Sequence, residues 1–137
     1  MWALFAGLSA VFAALTAIFA KVGVQNVNSN LAVAIRTAVV LMLAWGIVFA
    51  FGAHKQIPDI STRAWIFLTL SALATGLSWL CYYKALQLGA VRNVVTVDKL
   101  SLIITIVFAA MFFGETLTLK VILGALLVVA GTLLIVI

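Results

Sequence analysis

Lys84 and Asp98 stand inside otherwise apolar sequence, each seven positions from Val91 at the centre of a short turn. In an antiparallel helical hairpin, a rise of 1.5 Å per residue places both roughly 7 Å below the turn region. Charged side chains are costly in hydrocarbon, and those found there commonly mark a transport path. Two readings of the pair stand side by side. It is a gate or the charged wall of a substrate cavity, or it is a clamp on the hairpin with Lys99 snorkelling beside it.

Other polar residues recur at helical spacing. Asp98, Ser101 and Thr105 share one face, Ser71, Thr75, Ser78 and Tyr82 form a similar stripe, and Ser9 and Thr16 lie one heptad apart. Three such stripes can line a water-filled cavity, or their small hydroxyl residues can serve close helix packing. Trp79 and Tyr83 are one turn apart with Tyr82 beside them. Trp79 is deep for an interfacial aromatic belt, and so can line a cavity for an apolar or aromatic group. Arg36 lies some six residues inside its span, where it can attract an anion or snorkel to the Asn-rich loop before it. Glu115 follows Gly114 and suits the start of the next helix, where negative charge is stabilised. Gly124, Ala125 and Gly131 mark the last span as a packing and dimerisation element outside the transport path, because small residues let backbones approach closely in lipid.

The elements that position these residues are legible as apolar runs. Of the 137 residues, 67% are hydrophobic and 8% charged, and the mean hydropathy is +1.37. A small globule in water cannot bury that much apolar surface. A spanning helix needs roughly 20 apolar residues, and five stretches qualify: Trp2 to Val24, Leu31 to Phe51, Ala64 to Leu88, Asn93 to Gly114 and Leu117 to Ile137. Backbone groups must pair internally in lipid, so each span is expected to be a helix. The fold class expected is therefore an all-α integral membrane protein of five transmembrane helices in a single domain, residues 1–137. Short connections make successive helices antiparallel neighbours. Asn30 is expected to cap the second helix and Ser61 or Thr62 the third.

The same residues exclude other classes. The net charge of +5 comes from eight scattered Lys and Arg that form no patch, so no nucleic-acid partner is expected. Cys81 is the one cysteine and His54 the one histidine, so neither a disulfide nor a metal cluster is expected. No phosphate loop and no nucleophile with base and orienter appear, so neither enzyme activity nor a cofactor is expected, and transport would run on a substrate or ion gradient. The first apolar run lacks a basic leader and is too long for a signal core. With five spans the termini lie on opposite faces. The face of the N-terminus carries Lys55, Arg63 and Lys120, and the other carries Lys21 and Arg92. A bias of three against two permits both orientations.

Three strings carry a resemblance to a known family. They are LFAGLSAVFAALTAIFAKVGV followed by SNLAVAIRTAVVLMLAW, then GLSWLCYYKALQLGAV, then VDKLSLIITIVFAAMFFGETLTLKVILGALLVVAGTLLIV. In order and spacing these resemble one half of an EamA-type transporter of the drug/metabolite transporter superfamily, including its polar break, its Gly-Glu turn and its small-residue final helix. The resemblance implies half of a ten-helix inverted-repeat fold, completed by an antiparallel homodimer of dual topology in a bacterial inner (plasma) membrane. It implies a secondary transporter, expected to be an exporter, of a small metabolite such as an amino acid or of a drug-like compound, working by alternating access. A lipid-linked sugar flippase or an accessory subunit of a larger complex is the alternative. The first helix lacks the membrane-embedded glutamate of the four-helix small multidrug resistance proteins, which puts proton-coupled drug efflux of that kind in doubt.

Overall fold

The computed structural model describes all 137 residues as helices and short connections without strands. In chain order these are α1 (Trp2–Gly23), α2 (Ser29–Ala50), a 3₁₀ segment (Ala53–Asp59), α3 (Thr62–Leu88), α4 (Val91–Asp98), α5 (Ser101–Phe113) and α6 (Leu119–Val136). Five spans are long and apolar enough to cross a membrane, the fourth being α4 and α5 together, Val91–Phe113. The protein is an all-helical integral membrane protein, as the apolar runs require.

The fourth span departs from the single helix expected. At Lys99 and Leu100 the backbone tightens to ψ −14° and −20°, values near those of a 3₁₀ turn. The hydrogen bonds change with it: Lys99 N–H donates to the Thr96 carbonyl (3.2 Å), Leu100 to Val97 (2.9 Å), Leu102 to Lys99 (3.0 Å) and Ile103 to Leu100 (3.0 Å). Asp and Ser compete for backbone hydrogen bonds in a helix interior, and Asp98 and Ser101 flank this turn. Three residues per turn stack positions i and i+3 directly, so Asp98 and Ser101 lie in line, with Thr105 one α-helical turn beyond.

The caps refine two expectations. Asn28, not Asn30, begins α2: its Oδ1 accepts from the amides of Asn30 (2.9 Å) and Leu31 (3.4 Å). Polar Ser29 and Asn30 simply fill the first turn ahead of the apolar stripe. Ser61 Oγ accepts from the Ala64 amide at 3.2 Å, as expected for α3. Glu115 does not open the last helix. It lies in the connection, and Thr118 caps α6 by accepting from Val121 N–H at 3.4 Å.

Gly114 ends α5 with φ 65°, and its amide and that of Glu115 both return to the Ala109 carbonyl. A side chain at Gly114 would meet no other atom, so its cost is conformational alone. Gly114→Ala is expected to destabilise by about 1–2 kcal/mol, read as a lower SDS concentration at the unfolding midpoint. An unchanged midpoint would show that the turn relaxes out of the left-handed region.

The chain forms two compact units, Phe19–Gln87 and Met1–Ile18 with Leu88–Ile137. In the first, α2 packs on the 3₁₀ segment, and Val24 and Leu86 are fully buried. In the second, α4 packs on α6, where the hydroxyl of buried Thr132 donates to the Val128 carbonyl at 2.8 Å. Large apolar side chains such as Trp2, Phe112 and Leu134 are exposed on the single chain, which lipid or a second protein surface accommodates and water does not.

Candidate functional site

The ends of α1 and α3 are tied by polar side chains. Lys21 Nζ donates to the Leu86 carbonyl at 2.6 Å. Gln87 Nε2 donates to the carbonyls of Val24 (3.3 Å) and Val27 (3.1 Å). Lys84 Nζ donates to Gln87 Oε1 at 3.2 Å. Carbonyls at a helix C-terminus lack partners within their own helix, so these side chains complete them and fix how deep α3 sits beside the first loop.

That register brings Arg36 of α2 level with Trp79 of α3. Arg36 is seven residues past Ser29 at the start of α2 and Trp79 nine before Leu88 at the end of α3, so they lie about 10 and 14 Å inside their helix ends. The guanidinium carbon of Arg36 is 3.9 Å from the centroid of the Trp79 ring and 5.7 Å from that of Tyr83. Tyr82 continues the aromatic group, 6.4 Å from Tyr83 between centroids. Tyr83 is buried, and Arg36, Trp79 and Tyr82 are half-buried. Arg36 therefore stacks on Trp79 instead of reaching for the Asn-rich loop. Such a cation–π contact is worth about 2 kcal/mol when desolvated.

The stack does not satisfy the guanidinium. Its Nη1 is buried without a hydrogen-bond partner. The helices α1, α2 and α3 contain no aspartate or glutamate, and Asp59, the one carboxylate between Phe19 and Gln87, lies beyond the far end of α2. On the loop side of this unit Lys21, Arg36 and Lys84 are all cationic.

The other expected residues have local surroundings of their own. Thr16, Thr75 and Thr105 each donate their hydroxyl to the carbonyl four residues back, those of Phe12, Ser71 and Ser101, at 2.8–2.9 Å. A threonine in lipid commonly satisfies its hydroxyl this way. Thr75 and Ser9 are exposed on the single chain. Asp98 and Ser101 flank the 3₁₀ turn in the other unit, on its exposed side. Lys84 has Gln87 as its neighbour on α3. Sequence reasoning passed over Gln87 altogether and read Lys21 only as a basic residue at a helix end. The available signal was their placement, each in the last turns of a spanning helix where carbonyls need donors.

An EamA-like transporter family model matches residues 1–137, the whole chain. The chain belongs to the EamA-like transporter family. A relative from Sinorhizobium sp, described as an uncharacterized transporter in the cobO 3' region, is 48% identical over 133 residues, covering 97% of this chain and 94% of the relative. No solved structure matches this EamA chain. Family and spans together make it a membrane transporter, and the Arg36–Trp79–Tyr83 group is the one place in it where a buried charge lacks a partner.

Proposed function

We propose that this chain is a homodimeric secondary transporter that exports a small metabolite, such as an amino acid, or a drug-like compound by alternating access. The observation that carries the reading is an EamA-family match over the whole of a five-span chain, with a relative of nearly equal length. Two copies in opposite orientation supply the two inverted halves that a midplane site between repeats requires. The near-balance of basic residues, three against two, is what such a dimer needs from its sequence. The inner membrane of a bacterium is the expected location. Polar residues of both units, Ser9, Thr16, Arg36, Thr75, Trp79, Tyr82, Tyr83, Lys84, Asp98, Ser101 and Thr105, are the candidates for the substrate path. The test is gradient-driven uptake of labelled amino acids into proteoliposomes of the pure protein. Saturable uptake that empty liposomes lack supports the reading. Uptake that appears only with a different protein partner, or lipid-linked sugar translocation in its place, overturns it.

The dimer reading has its own measurement. A side chain at Gly124 or Gly131 would meet no other atom within the chain, so these positions are open to a second copy, with Ala125 beside them. The double change Gly124→Leu and Gly131→Leu is expected to leave helicity intact and reduce crosslinked dimer by on the order of 10-fold, since close backbone approach in lipid depends on small residues. Undiminished crosslinking would place the dimer contact elsewhere.

A further inference from the structure

We infer that Arg36 is the receptor for an oxyanion, a carboxylate or phosphate, carried by the transported compound. The inference rests on the transporter reading for calling the occupant a substrate, but its chemistry is local to α2 and α3.

Three observations carry it. The first is the buried, unpartnered Nη1 of Arg36. A buried donor without a partner is costly, and a charged one more so, so a site that keeps one is completed by something outside the chain. The second is the stacking. With the guanidinium carbon over the Trp79 ring at 3.9 Å, the ring takes up none of the N–H donors, which form the planar fork that fits a carboxylate or phosphate edge-on. The third is charge. No carboxylate exists on α1, α2 or α3 to occupy the fork. Lys84, on the same helix as Trp79, donates to Gln87 Oε1, a neutral group. A partly desolvated guanidinium attracts an anion and rejects a cation. The aromatic surface of Trp79, Tyr82 and Tyr83 suits an apolar or aromatic body attached to that anion.

The anionic oxygen could belong to a soluble compound or to a lipid headgroup, and the experiment separates them. Trp2, Trp45 and Trp65 are changed to Phe so that Trp79 alone fluoresces, directly beneath the guanidinium. The purified protein in phosphatidylcholine nanodiscs is titrated with benzoate and with inorganic phosphate, then compared with nanodiscs containing phosphatidylglycerol. A saturable change of Trp79 emission with a soluble anion is expected. Arg36→Gln should weaken it by on the order of 10- to 100-fold, the worth of a hydrogen bond to a charged group. Arg36→Lys keeps the charge but loses the planar fork, and should weaken it by about 10-fold or more. It serves as the second variant where Arg36→Gln fails to fold. A change produced by phosphatidylglycerol and not by soluble anions overturns the substrate assignment and makes Arg36 a headgroup site. No saturable change, or equal binding by parent and Arg36→Lys, overturns the oxyanion site itself. Failure here and failure of the transporter reading are distinguishable. Uptake confined to cationic or neutral compounds leaves transport standing and removes this inference. Arg36-dependent anion binding without uptake does the reverse.

Discussion

Charge variants that force one orientation should abolish transport when expressed alone and restore it when expressed together. Lys55→Gln, Arg63→Gln and Lys120→Gln together leave no basic residue facing Lys21 and Arg92, turning three against two into none against two. Arg92→Gln gives three against one. Each juxtamembrane basic residue is worth about 1 kcal/mol at an anionic leaflet, so the two variants should differ in orientation ratio by on the order of 1000-fold. A C-terminal fluorescent reporter should light in the first variant, whose C-terminal face becomes the more basic and stays inside. A C-terminal phosphatase should be active in the second. None of the four substituted residues belongs to the Arg36 group, so each variant should fold. Neither alone can form the antiparallel dimer proposed above, and co-expression supplies both orientations. Full transport from either variant alone would remove the antiparallel dimer. Reporter ratios equal to the parent's would remove the charge-balance argument behind it.

The second large effect is expected at Leu86. Leu86→Ala should destabilise the protein by about 2–4 kcal/mol, within the range found for truncating a fully buried leucine. In a membrane the removed side chain does not trade burial for water, so the loss is mainly of packing, and it falls where α3 meets the end of α1. Leu86 is 0% exposed, and its carbonyl accepts the Lys21 ammonium, so a shift of backbone at this point also loosens that bond. Phe112→Ala, at a side chain 74% exposed, is the control and should change stability by about 0.5 kcal/mol or less. Unfolding in SDS monitored by circular dichroism reads both. Equal small losses at the two positions would mean that the α1–α3 junction is not a packed core.

The five spans were legible because lipid asks one thing of a sequence, a long run of apolar residues, and the chain offers five. The broken fourth span was only half legible. Asp98, Lys99 and Ser101 announce polarity within an apolar run, but whether a helix absorbs such residues or tightens around them depends on backbone bonds that composition does not display. The cap of α2 was missed for a similar reason. Asn26, Asn28 and Asn30 are chemically equal, and only the helix's actual first turn selects Asn28. At the candidate site, the pairing of Lys84 with Gln87 follows directly from a spacing of three on one helix. The stack of Arg36 on Trp79 does not, because the residues are 43 positions apart and meet only once α2 and α3 are set in register. Sequence could name Arg36 as an anion attractor or a snorkelling residue, and could not choose between them. What the structure adds is the position of an aromatic ring on another helix, 3.9 Å from the guanidinium carbon.

The joint in the fourth span makes a lever of α4. Its two parts are 8 and 13 residues long, or roughly 12 and 20 Å, so neither reaches across the roughly 30 Å hydrocarbon layer by itself. At the joint the Leu100 carbonyl already serves two amides, those of Ile103 and Ile104, at 3.0 and 3.4 Å, so bending exchanges one bond for another instead of breaking a regular ladder. A rotation of about 20° at this point would swing the Arg92 end of α4 through roughly 4 Å, given an arm of about 12 Å. The longer arm, α5, can keep its place while the shorter slides along α6. A modest angular change deep in the bilayer is thereby converted into a displacement of ångströms at its surface.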